Sequence, residues 1–226
     1  MPPLAGERAR HIAPAFLPDW ALGNRYHYYY ARAKLRSDPL YPGVCEALRG
    51  TTAPLLDLGC GLGLLAHALH EDGIALRYAG VDHDARKIVD ARRAAARRAL
   101  GDARFDTVDL SRELPAHRGS VAMLDVLQFF TPHRQQALVD GMVAMLEPGA
   151  KLVIRTGLDD GGGRARITRG TDRLSHLLGW MKSAPRHYPD ATLLRARFDA
   201  AGLRSEFTPL AGNTPFNNWR IVAWRD

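Results

Sequence analysis

The stretch Leu55-Leu56-Asp57-Leu58-Gly59-Cys60-Gly61-Leu62-Gly63-Leu64 restricts this chain more than any other. An apolar run ends near a carboxylate, three glycines alternate with other residues, and a second apolar run follows. Such a pattern reads as a buried strand, a tight loop and the start of a helix. Glycine lets the backbone turn sharply there and lets a ligand approach it closely, since no β-carbon stands in the way. The spacing is Gly-x-Gly-x-Gly, not the Gly-x-Gly-x-x-Gly of dinucleotide binders. Asp57 precedes the first glycine by two residues. A carboxylate there suits a ligand with a positively charged amino-acid end better than one with a pyrophosphate.

The remaining chain alternates short apolar runs with amphipathic stretches, the mark of a parallel α/β sheet. A helical lead-in covers residues 19–50, broken at Ser37-Asp38-Pro39 because a residue before proline avoids the helical region. Strands are expected at Pro54–Leu58, Leu76–Val81, Arg104–Val108, Val121–Val126 and Lys151–Arg155. Between them, one helix runs from Leu64 to Glu71 and stops at Gly73. A second is capped by Asp84 and runs to about Ala99, with Ile88, Ala91, Ala95 and Ala99 along one face. Thr131-Pro132 opens a third, with Leu138, Met142, Met145 and Leu146 facing the core and Pro148-Gly149 ending it. A helix at Thr192–Ala201 is closed by Gly202, and strands at Arg204–Pro209 and Trp219–Trp224 pair as an antiparallel edge.

The expected fold is therefore α/β: a Rossmann-like, seven-stranded, mostly parallel sheet with helices on both faces and an antiparallel edge hairpin. An N-terminal helical lid and an insertion after strand 5 complete it. The chain of 226 residues fits one domain, divided into a cap (1–50), a cofactor-binding core (51–156), an insertion (157–191) and a C-terminal helix with edge strands (192–226). No apolar run is long enough to cross a bilayer, and prolines and charges interrupt Met1–Trp20, which does not read as a signal peptide. The expected compartment is the cytoplasm. Cys45 and Cys60 form no Cys-x-x-Cys pair, so neither a zinc knuckle nor a redox couple is suggested.

The net charge is +7. Charge alone does not choose among nucleic acid, anionic lipid and an acidic carrier. Arg86, Lys87, Arg92, Arg93, Arg97 and Arg98 on the helix after the second strand read as a solvated face. Arg164, Arg166, Arg169 and Arg173 follow Gly161-Gly162-Gly163 in the insertion. They could meet an anionic substrate, a phosphopantetheine-linked chain or a carrier protein, although solvated loop charge is the plainer reading.

The glycine loop closely resembles motif I of the class I S-adenosylmethionine-dependent methyltransferases. The resemblance continues in order through Gly80-Val81-Asp82-His83-Asp84, Phe105-Asp106-Thr107-Val108-Asp109-Leu110, Met123-Leu124-Asp125-Val126-Leu127-Gln128-Phe129-Phe130 and Leu146-Glu147-Pro148-Gly149-Ala150-Lys151-Leu152-Val153-Ile154. It implies S-adenosylmethionine as cofactor, S-adenosylhomocysteine as product, and no metal. Asp57, Gly59, Cys60, Gly61 and Gly63 would form the loop. Asp82, beside His83, would bond both ribose hydroxyls. Asp109, beside Leu110, would meet the adenine amino group, with Asp106 the lesser match. Asp125 and Val126 end the fourth-strand motif. Lys34 and Arg36 could reach the cofactor carboxylate if the lead-in helix closes.

The resemblance places acceptor residues in the lead-in helix, after the fourth strand and in the insertion. The candidates are Tyr26, His27, Tyr28, Tyr29 and Tyr30, with Gln128 and His187. Aromatic rings can line a flat pocket and a histidine can take a proton near neutrality. Catalytic roles fall to His27, Tyr30, Gln128 and His187, although Gln128 stands where many relatives have histidine. The expected reaction is methyl transfer to oxygen or carbon of a small aromatic or acyl-derived acceptor, free or carrier-linked; a homodimer is left open. One rival is nucleic-acid methylation, which the charge supports but the missing Asn/Asp-Pro-Pro-Tyr and Pro-Cys signatures oppose. Another is a non-catalytic cofactor-binding scaffold. A nicotinamide dehydrogenase is disfavoured by the glycine spacing.

Overall fold

Apolar runs become the strands. Leu55–Leu58 (β1) is buried at all four positions, as a strand inside a parallel sheet must be. The computed structural model describes residues 6–158, 187–210 and 218–225, and they fall into two units, residues 1–110 and 111–226. The first unit holds α1 (Gly6–Ile12), a 3-10 turn (Ala13–Phe16), α2 (Tyr26–Ser37), α3 (Leu40–Leu48), β1, α4 (Leu64–Glu71), β2 (Tyr78–Asp82), α5 (Ala85–Arg97) and β3 (Ala103–Thr107). In it β2 pairs in parallel with both β1 and β3. The second holds β4 (Ser120–Leu124), a 3-10 turn (Leu127–Phe129), α6 (Pro132–Ala144), β5 (Lys151–Gly157), α7 (Ala191–Ala200), β6 (Arg204–Pro209) and β7 (Asn218–Trp224). There β4 and β5 are parallel, while β7 runs antiparallel to both β5 and β6.

The strand order β3-β2-β1-β4-β5-β7-β6 is the seven-stranded, mostly parallel Rossmann-like sheet expected, with β6 at the rim and β7 as the antiparallel strand. Most of the expected insertion, with Arg164, Arg166, Arg169 and Arg173, lies outside the described residues.

Three helices end alike. After α4, the Ile74 N–H donates to Leu69 O and the Gly73 N–H to His70 O; after α7, Leu203 donates to Phe198 O and Gly202 to Asp199 O. These paired bonds cap the last carbonyls around a left-handed residue, and Gly73 and Gly202 have φ of +68° each. Following α5 the same bonds run from Leu100 to Ala95 O and from Ala99 to Ala96 O, but the left-handed residue is Ala99, at φ +53°. The helix therefore stops at Arg97, two residues short of the expected end, and Ala99 leaves the buried stripe of Ile88, Ala91, Ala94 and Ala95.

The expected solvated face of α5 holds in part: Arg86, Arg92 and Arg97 are exposed, but four of its arginines are also tethered within the chain. Arg92 Nε donates to Phe105 O at 2.8 Å, and Arg92 Nη2 to Asp106 at 2.8 Å. Arg93 Nη2 meets Asp90 at 2.6 Å. Arg97 donates to Ala15 O at 2.9 Å, to Leu17 O and to Asp19; Arg98 donates to His11 O at 2.8 Å and to Glu71 at 2.5 Å. A guanidinium has five donors in a fork, so two neighbouring arginines can bind several carbonyls of a non-repetitive segment at once. They hold residues 11–19, whose Ile12, Ala13 and Phe16 are buried, against α5.

An L-residue in the left-handed region costs about 1 kcal/mol or more, part of which glycine returns through a looser unfolded chain. Ala99→Gly is expected to raise stability by about 0.5–1 kcal/mol, read as a higher urea midpoint at unchanged m-value.

Candidate functional site

The loop after β1 is built on three left-handed glycines, with φ of +82°, +56° and +72° at Gly59, Gly61 and Gly63. Backbone bonds from Gly59 and Cys60 to Val81 O, 2.7 and 2.9 Å, tie it to β2. Gly63 has a second reason to be glycine, since a β-carbon would stand 2.5 Å from the Phe105 ring. At Gly61 a β-carbon would meet nothing within 4 Å, so the backbone there faces open space. Cys60 packs over Gly80, where an added β-carbon would lie 2.9 Å from Sγ; burial pushes its thiol well up from the usual range. It is a small packing residue, not a nucleophile.

Two carboxylates frame the loop. Asp82 is buried at the end of β2; Oδ2 accepts the Gly61 N–H at 3.0 Å and Oδ1 the Asp84 N–H at 2.9 Å. A carboxylate has about four acceptor positions, so two such bonds leave it capacity for hydroxyl donors. His83 Nδ1 lies 3.4 Å from Oδ1 on an exposed ring. Asp57 is 2% exposed and takes a 2.5 Å bond from the Tyr78 hydroxyl on Oδ2. Its Oδ1 is buried with no hydrogen-bond partner among the described residues. Burial pushes the Asp57 carboxyl from 3.8 up to about 7; the Tyr78 bond opposes the rise and the Asp82 charge adds to it.

Beyond β3, Asp109 is exposed and Leu110 buried. Asp106 is bound to Arg92. On the lead-in, Lys34 pairs with Asp38 at 2.7 Å, and Asp38 also accepts the Leu40 N–H, so this pair fastens the junction of α2 and α3. Arg36 is exposed. His27 Nδ1 lies 2.7 Å from Asp90 on α5. Tyr30 stacks with Tyr26, both rings half exposed.

In the second unit, Asp125 follows β4 with φ +62°; its N–H donates to Arg155 O at 2.9 Å and its Oδ2 accepts from Arg155 Nη1 at 2.7 Å. Val126 next to it starts the 3-10 turn. Gln128 is buried and accepts from Thr156 Oγ1 at 3.1 Å. The structure brings Gln128 and His187 together: the His187 N–H donates to Gln128 O, and Gln135 Nε2 bridges Leu127 O, Phe130 O and His187 O. Sequence reading missed Gln135 and Arg155. An arginine inside the apolar run Leu152-Val153-Ile154-Arg155 was the available signal for the second, because a charge is rarely buried without a task. No group of three or more metal-ligating side chains occurs among the described residues.

Residues 55–149 match the family model of a methyltransferase domain. Solved structures agree on the fold. An O-methyltransferase family protein from Burkholderia thailandensis superposes with a TM-score of 0.67 at 18% identity, over 88% of this chain and 59% of its own. The chain thus spans less than two thirds of that protein. Magnesium protoporphyrin IX methyltransferase from Synechocystis, solved with S-adenosylhomocysteine, gives 0.63 at 18%, over 97% and 94%. An O-methyltransferase family 2 protein from Planctomyces limnophilus, solved with apigenin, gives 0.59 at 16%, over 97% and 59%. No curated protein matches significantly. The chain shares its fold with these solved methyltransferases.

Asp57 binds more protons folded than unfolded between pH 3.8 and about 7, so its contribution to stability is full below that window and is lost as pH rises through it. Stability is expected to fall by a few kcal/mol from pH 4 to 7, an order-of-magnitude figure. Asp57→Asn should remove most of that slope, measured as urea midpoints across the range.

Proposed function

We propose that the chain, acting as one catalytic domain, binds S-adenosylmethionine and methylates oxygen or carbon of a small aromatic or acyl-derived acceptor, free or carrier-linked. The observation that carries the cofactor half is the buried, partnerless Oδ1 of Asp57 beneath a loop of three left-handed glycines. An ammonium group is what such an oxygen lacks, and the open space at Gly61 is what close backbone approach requires. The residues present therefore fit the cofactor.

The bound sulfonium supplies an electrophilic methyl group. Asp57 holds the amino-acid end, and Asp82 uses its remaining acceptor capacity on the ribose hydroxyls. Asp109 and Leu110 take the adenine; Asp125 and Val126 are proposed cofactor residues on the sequence resemblance alone. Lys34 and Arg36 remain the proposed partners of the carboxylate, for which Lys34 would have to exchange Asp38. On the acceptor side the protein must align an oxygen or carbon in line with the departing sulfur and exclude water. Gln128 is an amide and cannot take a proton; it orients. His27 is already engaged by Asp90, and Tyr30 offers a ring face. His187, exposed at its ring and tied by its backbone to Gln128, is the proposed proton acceptor. The O-methyltransferase neighbours favour oxygen. Nucleic-acid methylation is the weaker reading, because the Asn/Asp-Pro-Pro-Tyr and Pro-Cys signatures are missing from the sequence.

Calorimetric titration with S-adenosylmethionine and S-adenosylhomocysteine tests the cofactor half. Both should bind, and Asp82→Ala should weaken them at least tenfold, the loss of charge-assisted bonds of about 1.5–3 kcal/mol. Affinity should rise with pH toward about 7 and level off above, because the ammonium needs Asp57 ionised. A folded wild-type protein that binds neither ligand would end this reading.

A further inference from the structure

Beneath the glycine loop lies a buried hydroxyl that the methyltransferase motifs do not include. Tyr78 opens β2 and is 4% exposed. Parallel register sets Leu55 beside Tyr78 and Asp57 beside Gly80. With a period of two, Asp57, Tyr78, Gly80 and Asp82 share one face. Gly80, abreast of Asp57, offers no side chain, and Tyr78 reaches Asp57 along the diagonal, its hydroxyl donating to Oδ2 at 2.5 Å.

A ring contact fixes that hydroxyl in place. Phe105 on β3 is the register partner of Gly80, and its ring centroid lies 5.6 Å from that of Tyr78. A β-carbon added at Gly63 or Gly80 would stand 2.5 or 3.0 Å from the same Phe105 ring. One aromatic therefore packs against both the loop and the tyrosine. Burial and the Asp57 charge hold the Tyr78 hydroxyl well above its usual range, which keeps it a donor.

This bond makes the two oxygens of Asp57 unequal. Oδ2 is occupied, while Oδ1 is buried with no hydrogen-bond partner among the described residues. A hydroxyl donating to one oxygen stabilises the ionised carboxylate; burial and the Asp82 charge favour the neutral form. The titratable groups around the pair are Asp82 on β2 and Cys60 in the loop, with Lys87 of α5 acting on Cys60 and Tyr41 of α3 on Tyr78.

We propose that Tyr78 is a positioning residue for the cofactor: by holding Oδ2 of Asp57, it reserves Oδ1 for the ammonium of the ligand's amino-acid end. The inference deepens the proposed cofactor reading and rests on it. It gives the site a preference for nucleosides that carry the ammonium over those that do not.

The test is calorimetric titration of the intact protein with S-adenosylhomocysteine and with methylthioadenosine, a nucleoside thioether without the amino-acid end, across pH ~5.5–8.5. The wild type should bind S-adenosylhomocysteine more tightly, with an affinity that rises toward pH about 7, while methylthioadenosine binding stays flat. Tyr78→Phe removes one oxygen and keeps the ring. It should weaken S-adenosylhomocysteine roughly fivefold or more at neutral pH and move the rise upward by about one pH unit, the size that one hydrogen bond to a charged group sets. Methylthioadenosine should weaken by less than about twofold, since the lost bond acts only on the ammonium's partner. Asp57→Asn should flatten the S-adenosylhomocysteine profile. Adding Tyr78→Phe to it should cost less than about a further twofold, because the tyrosine acts through that carboxylate. An unmoved pH profile in Tyr78→Phe, an equal loss for both nucleosides, or additive losses in the double variant each overturn this inference and leave the cofactor reading standing. A folded wild type that binds neither nucleoside overturns both.

Discussion

The first unit depends on what one carboxylate holds. Asp82 ends β2, and its two oxygens anchor the middle of the glycine loop and the turn into α5. The next acid continues the chain of caps, because Asp84 accepts the Arg86 N–H and starts α5. Loop, strand and helix thereby share one set of short bonds. A loop of left-handed glycines is entropically costly to order; bonds from its amides to Asp82 and Val81 offset that cost and leave it preorganised. α5, fixed at its start by these acids, carries the arginines that hold residues 11–19 farther along, so the same carboxylate indirectly sets where the lead-in docks.

What could be read from the chain divides along physical lines. Strands β1, β2, β4 and β5 follow continuous apolar runs and the helices between strands a period of 3.6, and α4, from Leu64 to Glu71, falls where its pattern put it. The end of α5 did not, because Ala99 does what glycine does at Gly73 and Gly202, and composition hides a left-handed alanine. The tethers of Arg97 and Arg98 were illegible for another reason. They include backbone carbonyls some eighty residues away, and a carbonyl has no sequence signature. Arg155 was missed because its carboxylate, Asp125, follows the neighbouring strand thirty residues earlier in the chain.

Within the candidate site, acids at strand ends were legible because each closes an apolar run. Their differences were not. Asp57 and Asp82 look alike in sequence, yet one has an oxygen with no partner and a carboxyl pushed up by burial, while the other is bonded through both oxygens. Environment, not identity, separates a group poised to receive a cation from one that organises backbone.

Local rules are broken at several places, and the way each break is compensated separates structure from function. Ala99 sits at positive φ, but the paired bonds that close α5 explain it completely, and nothing else is required. Asp125 also sits at positive φ, where an aspartate is tolerated, and its carboxylate is bonded to Arg155. The Asp57 oxygen has no such settlement among the described residues: it is buried without a hydrogen-bond partner, at the carboxyl end of a parallel strand, where a sheet of this kind meets its ligands.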